Sequence, residues 1–272
     1  MALATTGIGV MSTIAYQGTN LEKAFRHGVN NDAWCDATLP LDRVGNQHAL
    51  LNEVASVLDA NSNVGLIVTV GGVEAAYAAL VTVAKPFISI FGGTTTNFPG
   101  TIAGNFYGGV NLQTFAGNAQ RITYLNTAYG FAPNQICLLA NPSSSEVFAQ
   151  ETAMWTGGVI YQAANQLQIR STLHTFATTA GQQAIIISAD PFYQDHKEFL
   201  IYHANKTKKR VCYPLEVYKN VGGTPPASDR HTRYGPKLTA AYQLLGQLAS
   251  AAVTSGAAGP LQTVPLEPAI DE

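Results

Sequence analysis

Four short apolar runs constrain this chain more than any other feature. Gly65–Gly72 reads GLIVTVGG, Pro86–Gly93 reads PFISIFGG, Gln135–Ser145 reads QICLLANPSSS and Gln183–Asp190 reads QAIIISAD. Each ends in small or polar residues. An unbroken Val/Ile/Leu run is the pattern of a strand buried on both faces, and such strands belong to parallel sheets covered by helices. In open α/β sheets, ligands sit beyond the carboxyl ends of the strands. Two such ends fall in each half of the chain, which predicts two lobes facing one cleft.

Between these runs the chain alternates. The first half predicts a strand over Thr6–Ser12 and a helix over Leu21–Val29 with Asn20 as its N-cap. An edge strand over Asp36–Leu39 and an amphipathic helix over Gln47–Leu58 follow. Then come a strand at Gly65–Val70, a helix at Val73–Ala84 and a strand at Pro86–Phe91. Gly92–Gly109, rich in Gly, Thr and Asn, reads as a connection between lobes. The pattern restarts with a helix at Gln113–Thr127, a strand at Gln135–Ala140 and a helix over most of Ser144–Asn165. Strands at Ser171–Phe176 and Gln183–Ala189, a helix at Phe192–Asn205 and a strand at Val211–Pro214 follow. Gly222–Arg233 reads as a polar loop, Pro236–Ser255 as a long helix, and the tail from Gly256 shows no periodicity. The expected fold class is α/β: two Rossmann-like lobes with parallel sheets joined by a hinge. The lobes are expected over 1–110 with 228–272, and over 111–227.

Charge narrows the function. Only 12% of the 272 residues are charged and the net charge is −2, which argues against a nucleic-acid footprint. The most basic stretch, Lys206–Arg210, reads as a solvated loop or helix end. Cys35, Cys137 and Cys212 give neither a disulfide framework nor a zinc pattern, and the last two fall in expected buried strands. No stretch has transmembrane length, so no membrane insertion is expected. The Met-Ala-Leu-Ala start lacks the features of a secretory signal. A cytoplasmic protein and one whose signal has been trimmed both fit.

Asn141-Pro142-Ser143-Ser144-Ser145-Glu146 is the best local signal for a site. It follows a strand and opens a helix. Ser143 and Glu146 have capping-box spacing, which a plain helix start would also give. Spare hydroxyls and free amides at a helix N-terminus equally suit a carboxylate. Ala189-Asp190-Pro191-Phe192 has the same placement. Asp190 there is either an ordinary cap or a partner for a ligand ammonium. Gly71-Gly72 and Gly92-Gly93-Thr94 end the earlier strands and permit close backbone approach. No dinucleotide fingerprint or phosphate loop is present, no metal set is formed by the six scattered histidines, and no nucleophile elbow occurs. His196 and His203 read as solvated residues of one helix. No cofactor, metal or catalytic residue is therefore expected. Tyr16, Phe91, Phe192, Tyr193 and Tyr213 are candidate pocket aromatics near strand ends.

The segments GLIVTVGGVEAA (65–76), NAQRITYLN (118–126), QICLLANPSSS (135–145), AIIISADPF (184–192) and RYGPKLTA (233–240) together carry a resemblance. The chain resembles the ABC-transporter substrate-binding branch of the type I periplasmic-binding proteins, the branch with tryptophan- and tyrosine-type amino-acid receptors. The resemblance covers most of residues 6–255 and implies two Rossmann-like lobes clamping a ligand. It implies that the ligand carboxylate meets Ser143–Ser145 or Gly92–Thr94, and that Asp190 takes the ammonium. It also implies a side-chain pocket at Tyr16, Phe91 and Tyr213. Ser12, Thr13, Gly71, Gly72, Gly93, Asn141, Ser144 and Phe192 complete the expected ligand-binding set. The chain departs from the family at Gly72-Val73-Glu74, at an inserted Thr224–Arg233 near the expected cleft rim, and in a tail without the final strand pattern.

The expected function is therefore non-catalytic. A small amino acid or related zwitterion, aromatic or branched apolar, is bound by hinge closure and delivered to an ABC permease. The family implies a periplasmic or extracytoplasmic location. A cytoplasmic ligand sensor on the same scaffold and an α/β enzyme are the alternatives.

Overall fold

A computed structural model describes residues 7–12, 18–29, 47–70, 84–92, 105–218, 230–257, 259 and 261–268. In chain order its elements begin with β1 (Ile8–Ser12), α1 (Asn20–Val29), α2 (Gln47–Ala60), β2 (Leu66–Val70), β3 (Phe87–Phe91) and β4 (Phe106–Asn111). They continue with α3 (Gly117–Tyr129), β5 (Ile136–Ala140), α4 (Ser145–Ala153), β6 (Ile160–Gln162), α5 (Gln166–Thr178) and β7 (Ala184–Ile187). The remainder are α6 (Pro191–Asp195), α7 (Lys197–Lys206), β8 (Arg210–Tyr213), β9 (His231–Gly235), α8 (Leu238–Ser255), β10 (Leu261–Thr263) and β11 (Glu267–Pro268). The chain divides into two compact units, Met1–Leu112 with Leu238–Val264, and Gln113–Lys237 with Pro265–Glu272. It passes between them three times, at 112/113, 237/238 and 264/265.

The first unit holds a parallel sheet in the order β1-β2-β3-β4-β10. Side chains alternate across a strand, so each apolar run feeds two cores. Leu66, Val68 and Val70 join Phe25 and Val29 of α1 and Leu245 and Ala249 of α8 on one face. Ile67 and Met11 join Leu51, Val54 and Leu58 of α2 on the other. Helices α1 and α8 meet at glycines. A Cβ on Gly28 would lie 2.0 Å from the Gln243 carbonyl oxygen, and one on Gly246 would lie 2.2 Å from that of Phe25.

The second unit holds the parallel order β6-β5-β7-β8-β9, closed by β11 running antiparallel on β9. After β5 the chain adds β6 on one side and then crosses to add β7 on the other. The β5/β7 boundary is thus a topological switch point, where the two strand ends diverge into separate loops and leave a crevice. Ile122 and Leu125 of α3 cover Ile136, Leu138, Ala184 and Ile186 on one face. Gly130, left-handed at φ 73°, ends α3 and bonds back to the Asn126 carbonyl.

The four apolar runs form β2, β3, β5 and β7, with every strand residue buried. Cys137 and Cys212 are buried free thiols, as expected, and burial pushes them up to about 11 and about 12.

Other expectations are corrected. Ser171–Phe176 is not a strand but lies within α5. Ile169, Leu173 and Phe176 recur at helical spacing on its buried face, and Asn165 caps it by accepting the Gln168 amide at 3.0 Å. The helix expected over Ser144–Asn165 stops at Ala153. Beyond it the Gly158 amide bonds the Ile136 carbonyl at 2.7 Å, where a Cβ would lie 2.4 Å from the Asn134 carbonyl oxygen, and the chain enters β6. Gly92–Gly109 is not only a connection, because β4 begins at Phe106 and pairs with β3. The expected loop Gly222–Arg233 runs into β9, which pairs with β8 in the second sheet rather than joining the first unit. The tail contributes β10 to the first sheet and β11 to the second. The single helix expected over Phe192–Asn205 is split into α6 and α7 at His196. Lys206–Arg210 is only partly solvated. Lys209 Nζ caps the end of α5 through the Phe176 and Thr179 carbonyls at 2.7 and 2.8 Å, and Arg210 lies 3.5 Å over the Tyr129 ring. The expected strand Asp36–Leu39 and helix Val73–Ala84 lie outside the described residues, save Ala84 itself.

Candidate functional site

The switch point of the second sheet brings the two sequence signals together. Beyond β5, Asn141 turns the chain: its Oδ1 accepts the Ser143 amide at 3.0 Å, while its Nδ2 donates to Ser144 Oγ at 3.2 Å. Beyond β7, Ser188 Oγ accepts the Asp190 amide at 3.2 Å. Asp190 Oδ1 then caps α6 by accepting the Phe192 amide at 2.8 Å. A bond from Asn141 Nδ2 to Asp190 Oδ1 at 3.1 Å ties the loops together, between residues 49 apart in sequence. Asn141, Ser144, Ser188 and Asp190 are buried, while Ser143 and Ser145 are exposed. Ser143 does not take the N-cap position expected of its capping box with Glu146, and its amide is held by the Asn141 turn instead. The helix starts one residue later than that box requires, with Ser144 at the N-cap and no side-chain cap bond.

Beneath these loops lies a buried ionic network that the sequence did not reveal. Arg121 of α3 has no exposed surface. Its Nε donates to the Tyr234 carbonyl at 2.8 Å, and its Nη1 donates to the Thr114 carbonyl at 2.7 Å and Asn118 Oδ1 at 2.9 Å. Asn118 Nδ2 in turn donates to Glu151 Oε1 at 3.1 Å. Burial pushes the Glu151 carboxyl up to about 7, and the nearby Asp190 charge pushes the same way. Ser188, Asn118 and Arg121 pull against that shift. One signal could have found Glu151: it stands four residues after Val147 and one after Gln150, on the buried stripe of α4.

Aromatic candidates divide. Tyr213 is buried, stacks on Tyr218 and His231 with centroids 4.8 and 5.7 Å away, and its hydroxyl meets His231 Nδ1 at 3.0 Å. Burial, with Arg230 and Arg210 nearby, draws His231 down to about 4. Phe192 is half-buried, 4.4 Å from the His196 ring. His196 itself is engaged with the Phe192 carbonyl at 2.9 Å. In the first unit, Ser12 ends β1 and Phe91 ends β3, both buried, and Gly92 follows. Thr13, Tyr16, Gly71, Gly72, Gly93 and Thr94 lie outside the described residues.

Among the described residues no group of three or more metal-ligating side chains forms, and no helix is long and apolar enough to cross a membrane. The arrangement offers a helix start with exposed hydroxyls beside a buried carboxylate.

No family model and no curated protein matches the chain. Solved structures do. An ABC domain in complex with L-Trp from Streptococcus pneumonia is 16% identical at a TM-score of 0.69, covering 94% of this chain and 88% of that one. A ligand-free, open substrate-binding protein with adhesive properties from Clostridium difficile is 12% identical at 0.57, covering 97% and 91%. The trehalose repressor from Escherichia coli is 12% identical at 0.64, covering 97% and 100%. The likeness extends over nearly the whole chain, and the fold is the two-lobed α/β architecture of the type I periplasmic-binding proteins.

Proposed function

We propose that this protein binds a small zwitterion, an aromatic or branched apolar amino acid, and delivers it to the permease of an ABC importer from an extracytoplasmic location. The observation that carries the reading is the Asn141–Asp190 bond. It sets a helix start suited to a carboxylate beside a carboxylate suited to an ammonium, at the switch point where α/β sheets take ligands. In this reading Ser143, Ser144 and Ser145 meet the ligand carboxylate and Asp190 the ammonium. Ser12, Phe91 and Gly92, at strand ends of the first unit, are further ligand contacts in this reading. Closure gains contacts present only in the bound state. The neighbour that holds L-Trp supports an amino acid as ligand.

The trehalose repressor among the neighbours favours a second reading, a ligand sensor that controls a protein partner. A thermal-shift screen separates ligand classes. L-Tryptophan or another amino acid at about a hundred times its Kd adds about 2.7 kcal/mol, a rise of roughly 5–10 °C for a chain of this size. Asp190→Asn abolishes that rise. If no zwitterion shifts the transition and trehalose does, the amino-acid reading fails and the sensor reading takes its place.

A further inference from the structure

Helices α5 and α7 of the second unit pack side by side and leave a groove of about 800 Å³ between them. That volume lies within the usual range for small-molecule pockets. The groove carries charge of one sign. Arg170 and Lys206 line it together with His174 and His203, and no acidic residue does, on a chain whose net charge is −2. Among the described residues neither Arg170 nor Lys206 pairs with a carboxylate. Lys206 has an ordinary reason to be where it is, in the last turn of α7 against the negative end of the helix dipole. Arg170 has none, since it stands in the second turn of α5. The two cations bear on His203, whose imidazole is drawn below its usual range by burial first, then by Lys206 and Arg170.

The groove is also apolar where it is open. Leu167 is 76% exposed and Tyr202 57%, two of the largest exposed hydrophobic surfaces of the described residues. Lys206 Nζ donates to the Tyr202 hydroxyl at 2.8 Å and lies 4.0 Å over the ring, which holds the ammonium beside an aromatic face. Leu173 supplies a buried apolar floor.

We propose that this groove is a second ligand site, distinct from the strand-end site, for a small anion carrying an apolar or aromatic body. The anion neutralises the paired field of Arg170 and Lys206, and the body covers Leu167 and Tyr202. Carboxylate, sulfonate and phosphate headgroups share this chemistry.

Fluorescence titration of the full chain with 8-anilinonaphthalene-1-sulfonate tests it, beside the uncharged relative N-phenyl-1-naphthylamine. The sulfonate is expected to bind at least tenfold more tightly than the amine and to shift the His203 imidazole proton resonance. The double variant Arg170→Gln/Lys206→Gln is expected to lose at least tenfold in sulfonate affinity while keeping its melting temperature and its response to L-tryptophan. Sulfonate binding unchanged in that variant, equal affinity for the uncharged amine, or an unmoved His203 resonance overturns the proposal. The L-tryptophan response reads the strand-end site separately, so either site can fail without the other.

Discussion

The two units share an architecture but not a chemistry of stability. In the first, parallel strands are sandwiched between apolar helix faces, and the closest approach is backbone on backbone at Gly28 and Gly246. The buried polar contact that its sheet shows is neutral, Thr69 Oγ1 to Ser89 Oγ at 2.7 Å. The second unit buries Arg121, Glu151 and Asp190 beneath its strand ends. Hydrophobic burial is indifferent to pH, whereas buried ionisable groups make stability depend on it. The first unit also buries Glu22 of α1, paired with Arg26 at 2.7 Å, but the unit with the better candidate site is the one that buries charge beneath its strand ends. That is the expected relation where function and stability compete for the same residues.

Arg121 gives the largest test of the contrast. Its guanidinium joins Thr114, just past the 112/113 crossing, to Tyr234, just before the 237/238 crossing. Nearby, Leu266, just past the third crossing, sits where a Cβ on Gly117 would meet it at 2.4 Å. Arg121→Met keeps the apolar stem and leaves those carbonyls and Asn118 Oδ1 buried without their donor. With several acceptors unsatisfied, a loss of about 3–5 kcal/mol is expected. Hydrogen exchange should show it in β5, β7 and α3 rather than in β1–β3. Equal loss of protection in both units would dissolve the comparison.

In the first unit the matching probe is Gly28→Ala. The new methyl would meet a main-chain oxygen, which cannot rotate away, so α1 and α8 must separate. About 3 kcal/mol is expected, at the upper end for overpacking, with protection lost in α1 and α8. A loss independent of pH between 5 and 8 sharpens the contrast, because the neighbouring groups in this contact are apolar or backbone.

The sequence made the strands legible because burial on both faces leaves an unmistakable run, as in GLIVTV and QAIII. It also made Asn141 and Asp190 legible, since each follows such a run and opens a helix. It could not reveal Arg121. The Tyr234 and Pro214 carbonyls that Arg121 reaches lie 113 and 93 residues away, and a carbonyl is the same group in every residue. Ser171–Phe176 misled for a different reason. STLHTF has β-branched and aromatic residues that suit a strand, but Leu173 and Phe176 belong to a stripe that starts at Ile169. Only the longer window shows the helical period. The β9 strand was hidden in polar residues, His231, Thr232 and Arg233, and the burial of Thr232 and Arg233 follows from pairing with β8 rather than from their own hydropathy.

Glu151 gives the smallest effect and the most specific one. Its ordinary value of 4.5 rises to about 7 in the folded chain. Between those two values the folded state holds a proton that the unfolded state has released. Stability from this group is therefore fully present below about 4.5 and is lost as pH rises through about 7. The shift corresponds to at most roughly 3 kcal/mol. His231 works in the opposite direction. Its folded value falls from 6.5 to about 4, so its contribution is present above about 6.5 and is lost as pH falls through about 4. The two slopes oppose each other between about 4.5 and 6.5, which flattens the profile of the natural chain. Glu151→Gln keeps an acceptor for Asn118 and removes the titration. Chemical denaturation at a series of pH values should then show the variant gaining on the natural chain from pH 4.5 to 7, with the acid-side loss from His231 uncovered. Parallel profiles would mean that Glu151 ionises in the folded chain as it does in water. The buried network would then hold Glu151 as a carboxylate bridged to Arg121 through Asn118, and of these two titrating groups His231 would be left to make the second unit depend on pH.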